Sequence, residues 1–135
     1  MEAGFSGGII VFGAAPGNPL RVLLAEDDPV VQRAMINLLR KIGFQADVAG
    51  NGLEAVRMMQ RRSYDVIFMD VQMPQMDGLQ AARAIRDLWP RRRVKIIAVT
   101  GCLQKGSREM CLEAGMDDYI AKPAKKKDIL ASLHI

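Results

Sequence analysis

From Leu20 onward, short apolar runs alternate with stretches in which apolar residues recur every three or four positions. Leu20–Ala25 (LRVLLA) is apolar enough to be buried on both faces and ends in the acids Glu26, Asp27 and Asp28. Val31, Ala34, Met35, Leu38, Leu39 and Ile42 then share one helical face, between the cap and first-turn pair Asp28-Pro29 and a stop at Gly43. Gln45–Ala49 reads as a weak second strand. Asn51 opens an Asn-Gly-Leu-Glu stretch resembling a capping box, before a helix that turns Leu53, Val56 and Met59 inward. Asp65–Asp70 (DVIFMD) is the third strand, and Asp77 caps a helix through Trp89 with Leu79, Ala82, Ile85 and Trp89 inward, closed by Pro90. Val94–Thr100 (VKIIAVT) is the fourth strand, Leu103–Ala114 a helix stopped by Gly115, and Tyr119–Ala121 a short fifth strand. Pro123 is expected to open a last helix that buries Ile129, Leu130 and Leu133.

Strand and helix patterns alternating in this way predict an α/β domain, a doubly wound five-stranded parallel sheet with five helices and right-handed crossovers. The domain is expected over residues 20–135, with 1–19 a linker or lead: its first charge is Glu2, and no Lys or Arg precedes Arg21. A chain of 135 residues, 50% apolar and 25% charged, is globular and has room for one domain of ordinary size. It has no run of about 18 apolar residues, so no membrane insertion is expected. Cys102 and Cys111 would lie about 13 Å apart along a helix, too far for a disulfide, and free thiols favour a reducing cytoplasm. Two cysteines and the lone His134 make a poor zinc site. The net charge of +4 comes largely from Arg91–Arg93 and Lys125–Lys127, read as solvated loop and helix-start charges. No recognition motif accompanies them, so nucleic-acid binding is not expected.

The polar residues are informative by position. Glu26 and Asp27 end the first strand, Asp70 the third, Thr100 the fourth and Lys122 the fifth. In an open parallel sheet these ends share one edge, where ligands bind at the topological switch point. Clustered carboxylates repel unless a cation intervenes, and a hard divalent ion such as Mg2+ takes oxygen ligands of this kind. A carboxylate can also act as a nucleophile and form an aspartyl phosphate, with Lys122 and the metal offsetting phosphoryl charge. Asp70 is the best candidate for that role. Each residue also has a plainer reading: Asp28 as a helix cap, Thr100 as a strand-end residue, Lys122 as a surface lysine.

The stretches LLAEDDPVVQ (23–32), YDVIFMDVQMPQMDG (64–78), IIAVTG (96–101) and REMCLEAGMDDYIAKP (108–123) together resemble the receiver domain of two-component response regulators. The likeness is greatest to receivers of hybrid sensor histidine kinases and extends over residues 20–133. It implies a flavodoxin-like fold with strand order 2-1-3-4-5. It also implies that Asp70 is the phosphoacceptor, and that Mg2+ is held by Asp27, Asp70, the Gln72 carbonyl and, mainly through water, Glu26. Thr100 and Lys122 match the residues that hold the phosphoryl group, and Tyr119 the aromatic whose rotamer follows Thr100. The Lys122–Pro123 bond is often cis in this family. Asp28 stands where such receivers frequently have Asn, and Gly101 where Ala is common; Gln72 and Cys102 occupy positions that tune phosphoryl lifetime.

The implied activity is phosphorelay signalling: a phosphoryl group passes from a histidine kinase or histidine phosphotransfer protein to Asp70, and the surface around the fourth helix, fifth strand and fifth helix is reshaped. Such a domain catalyses only its own phosphorylation and dephosphorylation. A homodimer through the fourth-helix to fifth-helix face stays open. One alternative is a receiver-like interaction module that is never phosphorylated. Another is a phosphatase with an aspartate nucleophile, which needs a general acid where this chain has Gln72.

Overall fold

In a computed structural model, residues 20–101 and 105–133 are described. The expectations for residues 1–19, Cys102, Leu103 and His134 lie outside them. Five strands and five helices alternate: β1 (Val22–Ala25), α1 (Pro29–Ile42), β2 (Ala46–Ala49), α2 (Gly52–Arg61), β3 (Val66–Met69), α3 (Gly78–Leu88), β4 (Lys95–Thr100), α4 (Ser107–Glu113), β5 (Asp118–Ala121) and α5 (Lys126–Ser132). All strand pairs are parallel, in the order β2-β1-β3-β4-β5. The order reverses direction between β1 and β3, so the crevice falls where the acids of these two strands emerge.

β1, β3 and β4 are buried along their whole length, as expected of strands covered on both faces. Their side chains alternate between two cores. Leu23, Ile67, Met69 and Ile96 pack with α2, α3 and α4 residues such as Met59, Ile85 and Cys111. Leu24, Val66, Phe68, Ile97 and Val99 pack with Met35, Leu39, Ile129 and Leu133 of the α1 and α5 side.

The helix starts follow local chemistry. The Asp28 carboxylate accepts from the Val30 and Val31 N–H groups, and α1 ends at Gly43 with φ 109°. Asp77 and Gln80 form a full capping box on α3. Asn51 caps α2 through the Glu54 N–H, but the Glu54 carboxylate reaches back to the Gly50 N–H rather than to that of the cap residue.

Several boundaries and faces differ from expectation. α4 begins at Ser107, not Leu103, because Gly106 has φ 88° and interrupts any right-handed helix through it. α5 begins at Lys126, not Pro123: the Lys122 N–H still pairs with the Thr100 carbonyl at 2.9 Å, which carries the strand direction past Ala121. Trp89 is the C-cap of α3, half-buried beneath the Arg92 guanidinium 4.7 Å from its ring. Ala34 is exposed, and Leu53 and Leu130 are only half-buried. Val56, Met59, Ile129 and Leu133 are buried as expected, and Gly52, Ala55 and Ser132 join them.

Candidate functional site at the carboxyl edge of the sheet

Backbone pairing sets the acids in place. The Asp70 N–H bonds to the Ala25 carbonyl at 2.9 Å, and the Glu26 N–H to the Ala49 carbonyl at 3.0 Å, so both carboxylates leave the sheet at the same level. Glu26 and Asp70 are buried, whereas Asp27 is exposed at the rim. One carboxylate oxygen from each of Glu26, Asp27 and Asp70 lies within 4.8 Å of the others.

The Lys122 ammonium bridges two of them, 2.8 Å from Glu26 Oε1 and 3.0 Å from Asp70 Oδ2. The other Asp70 oxygen accepts from the Gln72 N–H at 3.2 Å. Glu26 Oε2 accepts from the Asp28 N–H at 3.0 Å, and the Glu26 carbonyl from Gln32 Nε2. Burial, with the Asp70 charge adding to it, raises the Glu26 carboxyl above its ordinary range, although Lys122 and the Asp28 N–H pull the other way. For Lys122 burial acts to lower the pKa, but the hydrogen bonds and charges of Glu26 and Asp70 outweigh it and leave the ammonium more basic than usual.

Beside this cluster lies an open cleft of about 590 Å³, whose lining includes Asp27, Gln72, Thr100 and Met110. Thr100 is buried to 1% exposure at the end of β4. Tyr119, paired in register with Ala98, is half-buried against the α2–α4 core. The Lys122–Pro123 bond is cis. The structure therefore brings together Glu26, Asp27, Asp70 and Lys122, and sets Gln72 and Thr100 on the adjoining cleft wall. Oxygen-only donors at this spacing fit a hard divalent cation such as Mg2+ and not a soft one.

Sequence reasoning missed the parts that hold the loop after β3. A Cβ on Gly78 would collide with the Asp70 carbonyl oxygen, and the Gly78 N–H bonds to the Val71 carbonyl at 2.8 Å. A Cβ on Gly52 would likewise strike the Met76 carbonyl, which accepts from the Gly52 N–H at 3.0 Å. The signal available was an Asp-Gly or Asn-Gly pair at each helix start, read only for its cap residue. Gln32, one turn into α1, was also missed as a support of Glu26.

Comparison with known proteins places this arrangement in a family. The model for the response regulator receiver domain matches residues 22–134. Two-component system protein A of Emericella nidulans is 48% identical over 115 residues, which cover 83% of this chain and 17% of that protein. Hybrid signal transduction histidine kinase K of Dictyostelium discoideum is 35% identical over 129 residues, covering 90% of this chain and 11% of the kinase. The chain thus spans less than a fifth of either relative. Among solved structures, the receiver domain of sensor histidine kinase PA1611 from Pseudomonas aeruginosa PAO1, with magnesium in its active-site cleft, is 42% identical with a TM-score of 0.78. That match covers 87% of this chain and 96% of the other. A Saccharomyces cerevisiae response regulator receiver, solved in complex with a histidine phosphotransfer protein, is 29% identical, also with a TM-score of 0.78, over 85% of this chain and 86% of that one. With its doubly wound sheet and an acid cluster at the topological switch point, the chain belongs to the response regulator receiver domain family.

Proposed function

We propose that Asp70 accepts a phosphoryl group from a phosphohistidine on a histidine kinase or histidine phosphotransfer protein, in a Mg2+-dependent reaction that signals by conformational change. The observation that carries this is the Lys122 bridge between Asp70 and Glu26 inside the three-acid cluster. A lysine used only as a surface charge would not be drawn to 3.0 Å from a buried aspartate at a sheet switch point.

An Asp70 carboxylate oxygen attacks phosphorus in line as the P–N bond to the histidine breaks, and the imidazole leaves with the electron pair and takes a proton. Asp27, Asp70 and the Gln72 carbonyl, with Glu26 behind them, would hold Mg2+, which would supply positive charge against the phosphoryl oxygens. Lys122 exchanges its contact with Asp70 Oδ2 for a phosphoryl oxygen and keeps Glu26 as its anchor. Thr100 donates its hydroxyl to another phosphoryl oxygen, and Tyr119 follows it inward. Such a switch needs contacts that differ between two states, and the phosphoryl group supplies them. Water then returns Asp70 to its free form, the only turnover this site performs. The domain works on the cytoplasmic side, and among the described residues no helix is long and apolar enough to cross a membrane.

Acetyl phosphate with Mg2+ tests the assignment by intact mass. One added phosphoryl group is expected, absent with EDTA and absent in Asp70→Asn. Phosphoryl incorporation that persists in Asp70→Asn would overturn the choice of residue. No incorporation together with no Mg2+ binding would favour a purely interacting module.

A further inference from the structure

The opposite edge of the sheet, where β4 and β5 begin, holds a second cavity of about 490 Å³ lined by Arg86, Arg92, Arg93, Val94, Lys95, Asp117 and Asp118. Its volume lies in the range of small-molecule sites, about 300–1,000 Å³. Four cations face two acids, and their commitments differ.

Arg86 is fully engaged, with the Gly115 and Val94 carbonyls and with Asp117 at 2.9, 2.7 and 2.8 Å. Arg92 donates to the Met59 carbonyl and lies over Trp89. Asp117 Oδ2 serves both Arg86 and the Ile96 N–H, and Asp118 Oδ1 accepts from the Tyr119 N–H. Two cations are left over. Arg93 is exposed at the mouth, and Lys95 is only 8% exposed. Among the described residues no hydrogen bond or ion pair reaches the side chain of either. A lysine that lines a cavity and finds no acceptor within the fold can take one from outside, and an anion is the ligand that supplies it.

We propose that this cavity binds a small polyanion bearing phosphate or carboxylate groups, held by Lys95 and Arg93. The site is separate from the phosphoacceptor cleft, being at the start of β4 rather than its end.

The test uses the full chain in EDTA at low salt, titrated with inorganic pyrophosphate and, separately, citrate, by calorimetry and amide NMR. Saturable one-site binding is expected, with shifts centred on residues 92–96 and 117–118. Lys95→Met should weaken it at least tenfold and Arg93→Gln about threefold, while Arg57→Gln, an exposed charge outside the cavity, changes nothing. Lys95→Met without anion should melt no lower than the parent chain, and should lose the anion-induced rise in Tm. A purely structural lysine would give the reverse. Response to pyrophosphate alone, to citrate alone or to both assigns the site to phosphate ligands, carboxylate ligands or oxyanions generally. Non-saturating binding, shifts confined to the Asp70 cleft, or equal losses in Arg57→Gln would overturn the proposal. Should Lys95→Met fail to fold, Arg93→Gln decides by the same comparison.

Discussion

Replacing Lys122 with Met removes the one cation that, among the described residues, touches Glu26 and Asp70, whose side chains are 3% and 7% exposed. Breaking a buried pair from one side costs about 3–5 kcal/mol, because the remaining charge is stranded. Lys122 itself is 23% exposed, so water softens the loss toward the lower figure. Coulomb's law gives a similar scale: two carboxylate charges whose oxygens lie within 4.8 Å of one another, taken at that limit with an effective dielectric of about 20, repel by roughly 3.5 kcal/mol. The expected destabilisation in EDTA is therefore about 3 kcal/mol. With a urea slope of about 1–3 kcal/mol/M, the midpoint falls by about 1–3 M. Trp89, the single tryptophan, packs partly against the core and reports unfolding by fluorescence. Mg2+ should restore most of the loss, since it binds the folded acid cluster and not the unfolded chain. Adding Asp70→Asn should recover about 1–2 kcal/mol by removing one of the stranded charges, a coupling a double-mutant cycle isolates. If Lys122→Met unfolds within 0.5 M of the parent in EDTA, or if Mg2+ leaves its midpoint unmoved, the charge argument is wrong.

Three further outcomes follow from named contacts. Gly78→Ala should destabilise the fold by about 1–3 kcal/mol in urea unfolding and slow phosphorylation of Asp70, because the new methyl must push the Asp70 carbonyl aside. Asp27→Asn should weaken Mg2+ binding at least tenfold by titration while Asp28→Asn changes it less than twofold, since the Asp28 carboxylate is occupied in capping α1. Tyr64 is held protonated to about 12 by burial and by its 2.7 Å hydrogen bond to Asp47. The raised pKa means that its contribution is complete below pH 10 and lost as pH rises from 10 to 12. Unfolding curves in that window should show a pH slope that Tyr64→Phe lacks, together with a loss of about 1 kcal/mol at pH 7.

Much of this fold was legible because β1, β3 and most of β4 are apolar runs and α1, α2 and α3 each start at a capping side chain, Asp28, Asn51 and Asp77. What escaped was set by tertiary geometry. Nothing local marks Gln32 as a support for the Glu26 carbonyl, because the two meet only when α1 folds back over the end of β1. Gly52 and Gly78 look like ordinary turn glycines, yet their missing side chains let the β3–α3 loop pack against α2 and beneath Asp70. The start of α4 was misplaced for a different reason: apolar spacing extends back through Leu103, but the left-handed Gly106 overrides it. The acid cluster was readable because parallel topology maps strand ends onto one edge. The pairing of Lys122 with Glu26 as well as Asp70 needed the coordinates.

That same topology explains why the two edges of the sheet differ in charge. In a parallel α/β sheet every strand feeds a helix at its carboxyl end, so helix N-termini gather on one side and helix C-termini on the other. The first side favours anions and the second cations. Asp28, Asp77 and the Glu26–Asp27–Asp70 cluster lie on the first side. Arg40 and Lys41 of α1, Arg61 of α2 and Arg86 of α3 occupy last turns on the second. The dipole accounts for all of these helix-end arginines and lysines, and Arg86 has carbonyl and carboxylate partners as well. Arg93 and Lys95 are not: they follow α3 and belong to no helix terminus. A cation that helix electrostatics does not require, buried in β4 beside an open cavity, is where an external anion adds what the fold does not supply.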